Sequence, residues 1–232
     1  MRHCIDSVCG QDFSSWEVVI SDDGSSDGTA DMMSHGPHDN RIRFIAGGHS
    51  GIPSVGRNRA LNEARGRFIV PLDDDDMLTP NSLSLRLKAY FLCSTEFPDA
   101  FVCGAAYMLE GDCGYPDALS RMRNGLTAYG MPGIGSMPAW EKIHAQTVLA
   151  PRTLFDAHGG WNEDPVLRFG EDKELWARWI QAGSRPIYIE RPVCFYRLHD
   201  NWQLKVTPEQ RANRIARRNQ IIRDRTEQAI SC

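Results

Sequence analysis

The apolar run Phe68-Ile69-Val70-Pro71-Leu72 ends in four consecutive aspartates, Asp73 to Asp76, and Met77-Leu78-Thr79-Pro80 follow at once. A short, partly β-branched, continuous apolar run reads as a buried strand. Carboxylates crowded at its end repel one another. A divalent cation relieves that repulsion, and hard oxygen ligands suit Mg²⁺ or Mn²⁺. An acidic run is otherwise a solvated loop that caps the next helix. Here the strand in front and the helix start signalled by Pro80 behind favour a ligand-binding strand end.

Size and composition set the outer limits. The 232 residues suffice for one large domain, and 41% hydrophobic with 24% charged residues is ordinary for a globular chain. A formal net charge of -4 argues against nucleic acid, which needs a basic surface. The seven cysteines are scattered, with no Cys-x-x-Cys pair, so neither a zinc site nor a disulfide framework is suggested. Reduced thiols in a cytoplasmic protein are the simplest reading. No apolar stretch approaches the ~20 residues of a membrane-spanning helix.

Helices and strands alternate through the first half. The spacing predicts a helix over Met1 to Gln11 and a strand over Trp16 to Ile20. A short helix through Met33 is capped by Ser26 or Asp27, and a strand follows over Arg41 to Ala46. A Gly-rich loop leads to a helix over Val55 to Arg65, with Gly66 in the position just past its end. The strand Arg67 to Leu72, a helix from Pro80 to about Cys93 and a strand over Ala100 to Leu109 complete the half. This alternation predicts a mostly parallel sheet flanked by helices. Gly111 to Pro138 reads as one long loop. Beyond it the sequence predicts a strand over Thr147 to Ala150, then helices over Pro151 to Ala157 and Gly170 to Gln181. Strands at Ile187 to Ile189 and Val193 to Tyr196 precede a final basic helix, Pro208 to Ile230.

Strand-end loops of a parallel sheet face the crevice where such folds bind ligands. Two acidic loops fall there, Asp22-Asp23 and Asp73 to Asp76. The loop from Asp23 to Gly28 partly matches a calcium-binding EF-hand, but position 12 is Ser34 rather than Glu and a strand precedes it. A β-to-α turn fits better. Trp161, Trp176 and Trp179 are candidate platforms for a ligand ring, although Trp176 and Trp179 have the spacing of a helix's core face.

These segments, taken together, resemble the family-2 glycosyltransferases of the GT-A fold. The carriers are Asp22 to Thr29, Gly56 to Asn62 with Ala64 to Gly66, Leu72 to Pro80, Gly159 to Glu163 with Gly170 to Trp176, and Tyr196 to His199. The resemblance implies one α/β domain over 1–232 with a Rossmann-like sheet. Residues 1–110 would form the nucleotide-sugar-binding half, 111–205 the acceptor-side half and 206–232 a terminal helix. It implies transfer of a sugar from a nucleotide-sugar donor, a UDP-sugar first among them, to a saccharide, lipid-linked or protein hydroxyl, with inversion.

By position, Asp23 would contact the nucleotide base, and Arg57, Asn58, Asp73 and Asp74 the donor. Asp73 and Asp75 fill the acidic positions of the Asp-x-Asp motif and, with His199, would hold Mg²⁺ or Mn²⁺. Asp172 matches the catalytic base, with Glu171 and Glu174 as alternatives. Loop residues between Gly111 and Pro138 would carry acceptor choice. The basic last helix offers a peripheral contact with an anionic inner membrane face, or simply a solvated face.

The family opens with a Val/Ile-rich strand, and this sequence begins inside the helix that follows. The sheet is therefore expected to lack its N-terminal strand, with weakened nucleotide-sugar binding and stability. Two other readings stay open: an inactive nucleotide-binding module of the same fold, and a nucleotidyltransferase.

Overall fold

The structure is a computed structural model, and it describes residues 1–35, 39–126, 128–129, 143–198 and 207–230. The first half follows the expected alternation. Helix α1 (Arg2–Cys9) precedes strand β1 (Val18–Asp22), helix α2 (Thr29–His35) and strand β2 (Ile42–Ala46). Helix α3 (Pro53–Glu63) starts with Pro53, where the missing N–H has no partner to lose. It ends at Ala64 in an extended conformation, so Gly66 lies farther beyond the helix than expected.

The expected strand Arg67–Leu72 is paired only at β3 (Phe68–Ile69); the aspartates follow, and then comes β4 (Met77–Leu78). Sequence reading missed β4 because two residues show no periodicity. Helix α4 (Ser82–Cys93) leads to the long strand β5 (Phe101–Glu110). The stretch expected to be one long loop contains helix α5 (Tyr115–Arg123) and strand β6 (Ala128–Tyr129). The remainder of that loop, 130–138, lies outside the described residues. Strand β7 (Val148–Pro151), helix α6 (Arg152–His158) and helix α7 (Glu171–Gln181) follow. The two short strands expected near the end are one, β8 (Pro186–Leu198), before helix α8 (Pro208–Ile230).

The sheet is α/β in kind but is not mostly parallel. Strands β1 and β2 form a parallel pair of their own. The larger sheet runs β3-β7-β5-β8-β4, with β6 on β5. Only β5 with β8 is parallel there; β3–β7, β5–β7, β5–β6 and β4–β8 are antiparallel. Helix-strand alternation reports the direction of consecutive strands, whereas this sheet pairs strands far apart in sequence.

The core lies on β5, which is buried almost continuously, as expected for a strand covered on both faces. Trp176 and Trp179 of α7 are fully buried against Phe101, which makes them core residues rather than sugar platforms. A cavity of about 1630 Å³ runs between the two sheets. Val18 and Ile20 of β1 line it on one side, and Val70 and Leu72 line it on the other. Among the described residues no strand pairs with the second edge of β1.

Candidate functional site

The acidic loop is built on one buried member. Asp76 is 2% exposed. Its carboxylate accepts hydrogen bonds from the Gln146 amide and from the Arg197 backbone N–H, the latter at 2.8 Å. Burial pushes this carboxyl well above the usual range, the Arg197 N–H opposes that, and the charges of Asp75 and Asp73 add to it. Arg197 also donates to the carbonyl of Asp75 at 3.1 Å and to that of Cys113 at 2.8 Å. The loop is thus pinned from behind, and Asp73 and Asp74 line the cavity in front.

Asp23 also lines the cavity. Its carboxylate accepts from the Ser50 N–H at 2.9 Å, the Ser50 hydroxyl at 2.8 Å and the Gly51 N–H at 2.7 Å. Burial is the largest single influence and raises it, but these donors together hold the carboxyl below its ordinary value. The Gly-rich loop is therefore folded around Asp23.

Arg57, on the first turns of α3, joins the two acidic regions. Its guanidinium reaches Glu171 Oε1 at 2.6 Å, Asp73 Oδ1 at 2.8 Å and Asp172 Oδ1 at 3.5 Å. Burial works against the charge, yet the carboxylates of Asp172, Asp73 and Glu171 raise the guanidinium's affinity for its proton. Arg57 is committed to these ion pairs rather than lying free on a helix surface.

Asp172 sits in the first turn of α7. Its Oδ1 accepts the indole N–H of Trp161 at 2.7 Å. Burial pushes its pKa up to about 6, with Arg57 opposing and Glu171 and Asp73 reinforcing the rise. A half-buried carboxyl with its proton affinity shifted toward neutrality is suited to general-base work. The two alternative acids are otherwise occupied. Glu171 accepts from Arg57 and from the Gly170 N–H at 2.9 Å, while fully buried Glu174 is paired with Arg178 at 2.7 Å.

Asn58 turns to the acceptor-side segment. It accepts from the Trp161 N–H and donates to the Trp161 carbonyl and to Glu163 Oε1, all at 2.8 Å. Trp161 is 4% exposed and packs on Phe155, which rules it out as an open sugar platform. Its role toward Asp172 had no signal in the sequence. His199 lies outside the described residues.

Among the described residues, no group of three or more His, Cys, Asp or Glu converges as a ready metal cage. Mg²⁺ needs no such cage, since one or two carboxylates and substrate phosphates suffice. Asp74, which is exposed, and the half-buried Asp73 and Asp75 fit that requirement at the end of the Phe68–Leu72 segment.

Comparisons with known proteins bear on the family and the fold. Residues 1–105 match the family described as glycosyl transferase family 2. The GalNAc(5)-diNAcBac-PP-undecaprenol beta-1,3-glucosyltransferase of Campylobacter jejuni is 36% identical over 90 residues, 38% of this chain and 29% of that protein. The crystal structure of S. aureus TarS 1-349 in complex with UDP superposes with a TM-score of 0.64 at 19% identity, covering 85% of this chain and 56% of that one. The mannosyltransferase PcManGT of Pyrobaculum calidifontis, in complex with GDP-Man and Mn²⁺, superposes with a TM-score of 0.62 at 18% identity, covering 87% and 54%. The chain spans about half the length of these solved structures.

Proposed function

We propose, from the match of residues 1–105 to glycosyl transferase family 2 and from the likeness to the TarS fold, that this chain transfers a sugar from a nucleotide-sugar donor to an acceptor hydroxyl. One observation carries the reading. Arg57 ties Asp172 and Asp73 together, so a base-like carboxyl and the acidic loop share one guanidinium.

Asp23 and the loop around it receive the nucleotide base, and the diphosphate lies toward Asp73 and Asp74. Asp73 and Asp75 hold Mg²⁺ or Mn²⁺, which offsets charge on the departing diphosphate when bound. Asp172 takes the proton from the acceptor hydroxyl as that oxygen attacks the anomeric carbon. The bond from the anomeric carbon to the diphosphate oxygen breaks, the nucleoside diphosphate leaves, and one displacement inverts the configuration. Because Arg57 and Trp161 both bind Oδ1, they leave the other oxygen of Asp172 for the acceptor.

The UDP complex of TarS supports a UDP-sugar donor, and the Mn²⁺ complex of PcManGT supports a metal. The name of the Campylobacter relative supports a saccharide on a lipid carrier as acceptor. Among the described residues no helix is long and apolar enough to cross a membrane. A cytoplasmic chain touching the inner membrane face through α8 suits a lipid-linked acceptor.

Calorimetric titration with UDP and GDP, each with and without Mn²⁺, tests this. Binding of UDP that needs Mn²⁺ supports the reading, and no binding of either nucleotide overturns it. Turnover of donor that disappears in Asp172→Asn separates an enzyme from an inactive binding module of the same fold.

A further inference from the structure

We propose that Asn58 is a positioning residue for Asp172 and acts on it through Trp161. The proposal rests on the reading of Asp172 as the base and extends the machinery back into the donor-side half.

The connection is continuous. Asn58, on α3, holds the Trp161 backbone at two points, accepting its N–H and donating to its carbonyl at 2.8 Å each. This pairing fixes the amide's orientation, because the N–H requires an oxygen and the carbonyl requires an NH₂ group. The second amide hydrogen goes to Glu163 Oε1 at 2.8 Å. Trp161 passes this constraint on, since its indole N–H donates to Asp172 Oδ1 at 2.7 Å. Hydrogen bonds to an ionised acceptor are the strong, directional ones.

The neighbouring residue shows how close the contact is. A Cβ on Gly160 would fall 2.3 Å from Asn58 Oδ1. Only a glycine there lets the loop approach the amide. Arg57, itself held by Glu171 and Asp73, reaches the same Oδ1 of Asp172 at 3.5 Å. The carboxylate is thus aimed by two contacts, one direct from Arg57 and one through Trp161, and both lead back to α3.

NMR of the tryptophan indole N–H groups of the full chain tests the relay. The Trp161 signal is identified by its loss in Trp161→Phe. It should shift in Asp172→Asn, where the acceptor loses its charge. Asn58→Ala should shift it in the same sense and speed its exchange with deuterium about tenfold. The indole N–H groups of Trp176 and Trp179 have no partner among the described residues and lie in the same core cluster. Their signals should stay unchanged. An unchanged Trp161 signal in Asn58→Ala overturns the relay, as does an equal shift of all three, which marks general loosening. If Asn58→Ala does not fold, Asn58→Asp decides. It keeps the acceptor and loses the donor, so a smaller shift of Trp161 alone is expected and no shift refutes the relay. Transfer that survives in Asp172→Asn removes the base assignment while leaving the indole result standing.

Discussion

Arg57 and Glu171 stand 114 positions apart in sequence, and the guanidinium meets the carboxylate at 2.6 Å. Glu171 is 3% exposed. Removing one partner of a buried pair leaves an uncompensated charge, which costs about 3 kcal/mol or more. Arg57→Met should therefore lower unfolding free energy by about that amount in urea. A loss under about 1 kcal/mol would mean that solvent screens the pair.

Rate should depend on the ionisation of Asp172. Its pKa is raised to about 6 and only the carboxylate accepts a proton. A plot of kcat/KM against pH should rise toward about pH 6 and level off above it. A flat profile down to pH 4.5 would assign the base to another group.

The same shift has a consequence for stability. The folded chain holds the Asp172 proton more tightly than the unfolded chain does. The unfolded state ionises first, so stability falls as pH rises from about 4 to about 6 and stays lower above that. Asp172→Asn should then be more stable than the parent at pH 7, by about 3 kcal/mol, and nearly equal to it at pH 4. Thermal denaturation at the two pH values gives the comparison.

Asp76 has a structural task distinct from that of its neighbours. Asp76→Ala removes the acceptor for Gln146 and for the Arg197 N–H. The cost should be about 2 kcal/mol, and the amides of Asp73 to Asp75 should exchange faster with deuterium. Protection equal to that of the parent would show that Arg197 alone holds the loop.

Asp75→Asn should weaken Mn²⁺-dependent UDP binding about tenfold or more and leave the melting temperature within a degree or two. Calorimetry with and without Mn²⁺ measures this. Equal affinity in both proteins would remove Asp75 from the metal site.

Much of the fold was legible because its signals are local. The apolar run before Asp73, the helix α3 (expected from Val55, begun at Pro53) and the helical spacing of Leu175, Trp176 and Trp179 each report on their own neighbourhood. Tyr115, Ala118, Leu119 and Met122 also carried a helical stripe, and all four join one cluster around α5. The Gly and Pro residues around them masked it. Strand direction was not legible, because Leu149 meets Val102 and Phe195 meets Met77 through tertiary pairing alone.

The site divides along the same line. Asp23 and Asp73 stood out as carboxylates at strand ends and Asp172 only through the family resemblance; the structure connects the last two through Arg57. The bonds of Asn58 to Trp161 and of Asp76 to Gln146 cross between distant elements, and no spacing rule anticipates such partners. Asp76 stood in the row of four with no task of its own. Burial sets it apart, and a sequence does not state burial one residue at a time.

The strand Val18–Asp22 is hydrogen-bonded on one flank only among the described residues. Its other flank, with Val18 and Ile20, faces the cavity between the sheets. Unsatisfied amides and carbonyls in register are a template for any extended backbone that reaches them. Self-association should therefore grow steeply with protein concentration, and light scattering of stored samples would follow it. A short hydrophobic peptide able to lie along that flank should act as a solubiliser, and a Pro-containing one of similar composition should not.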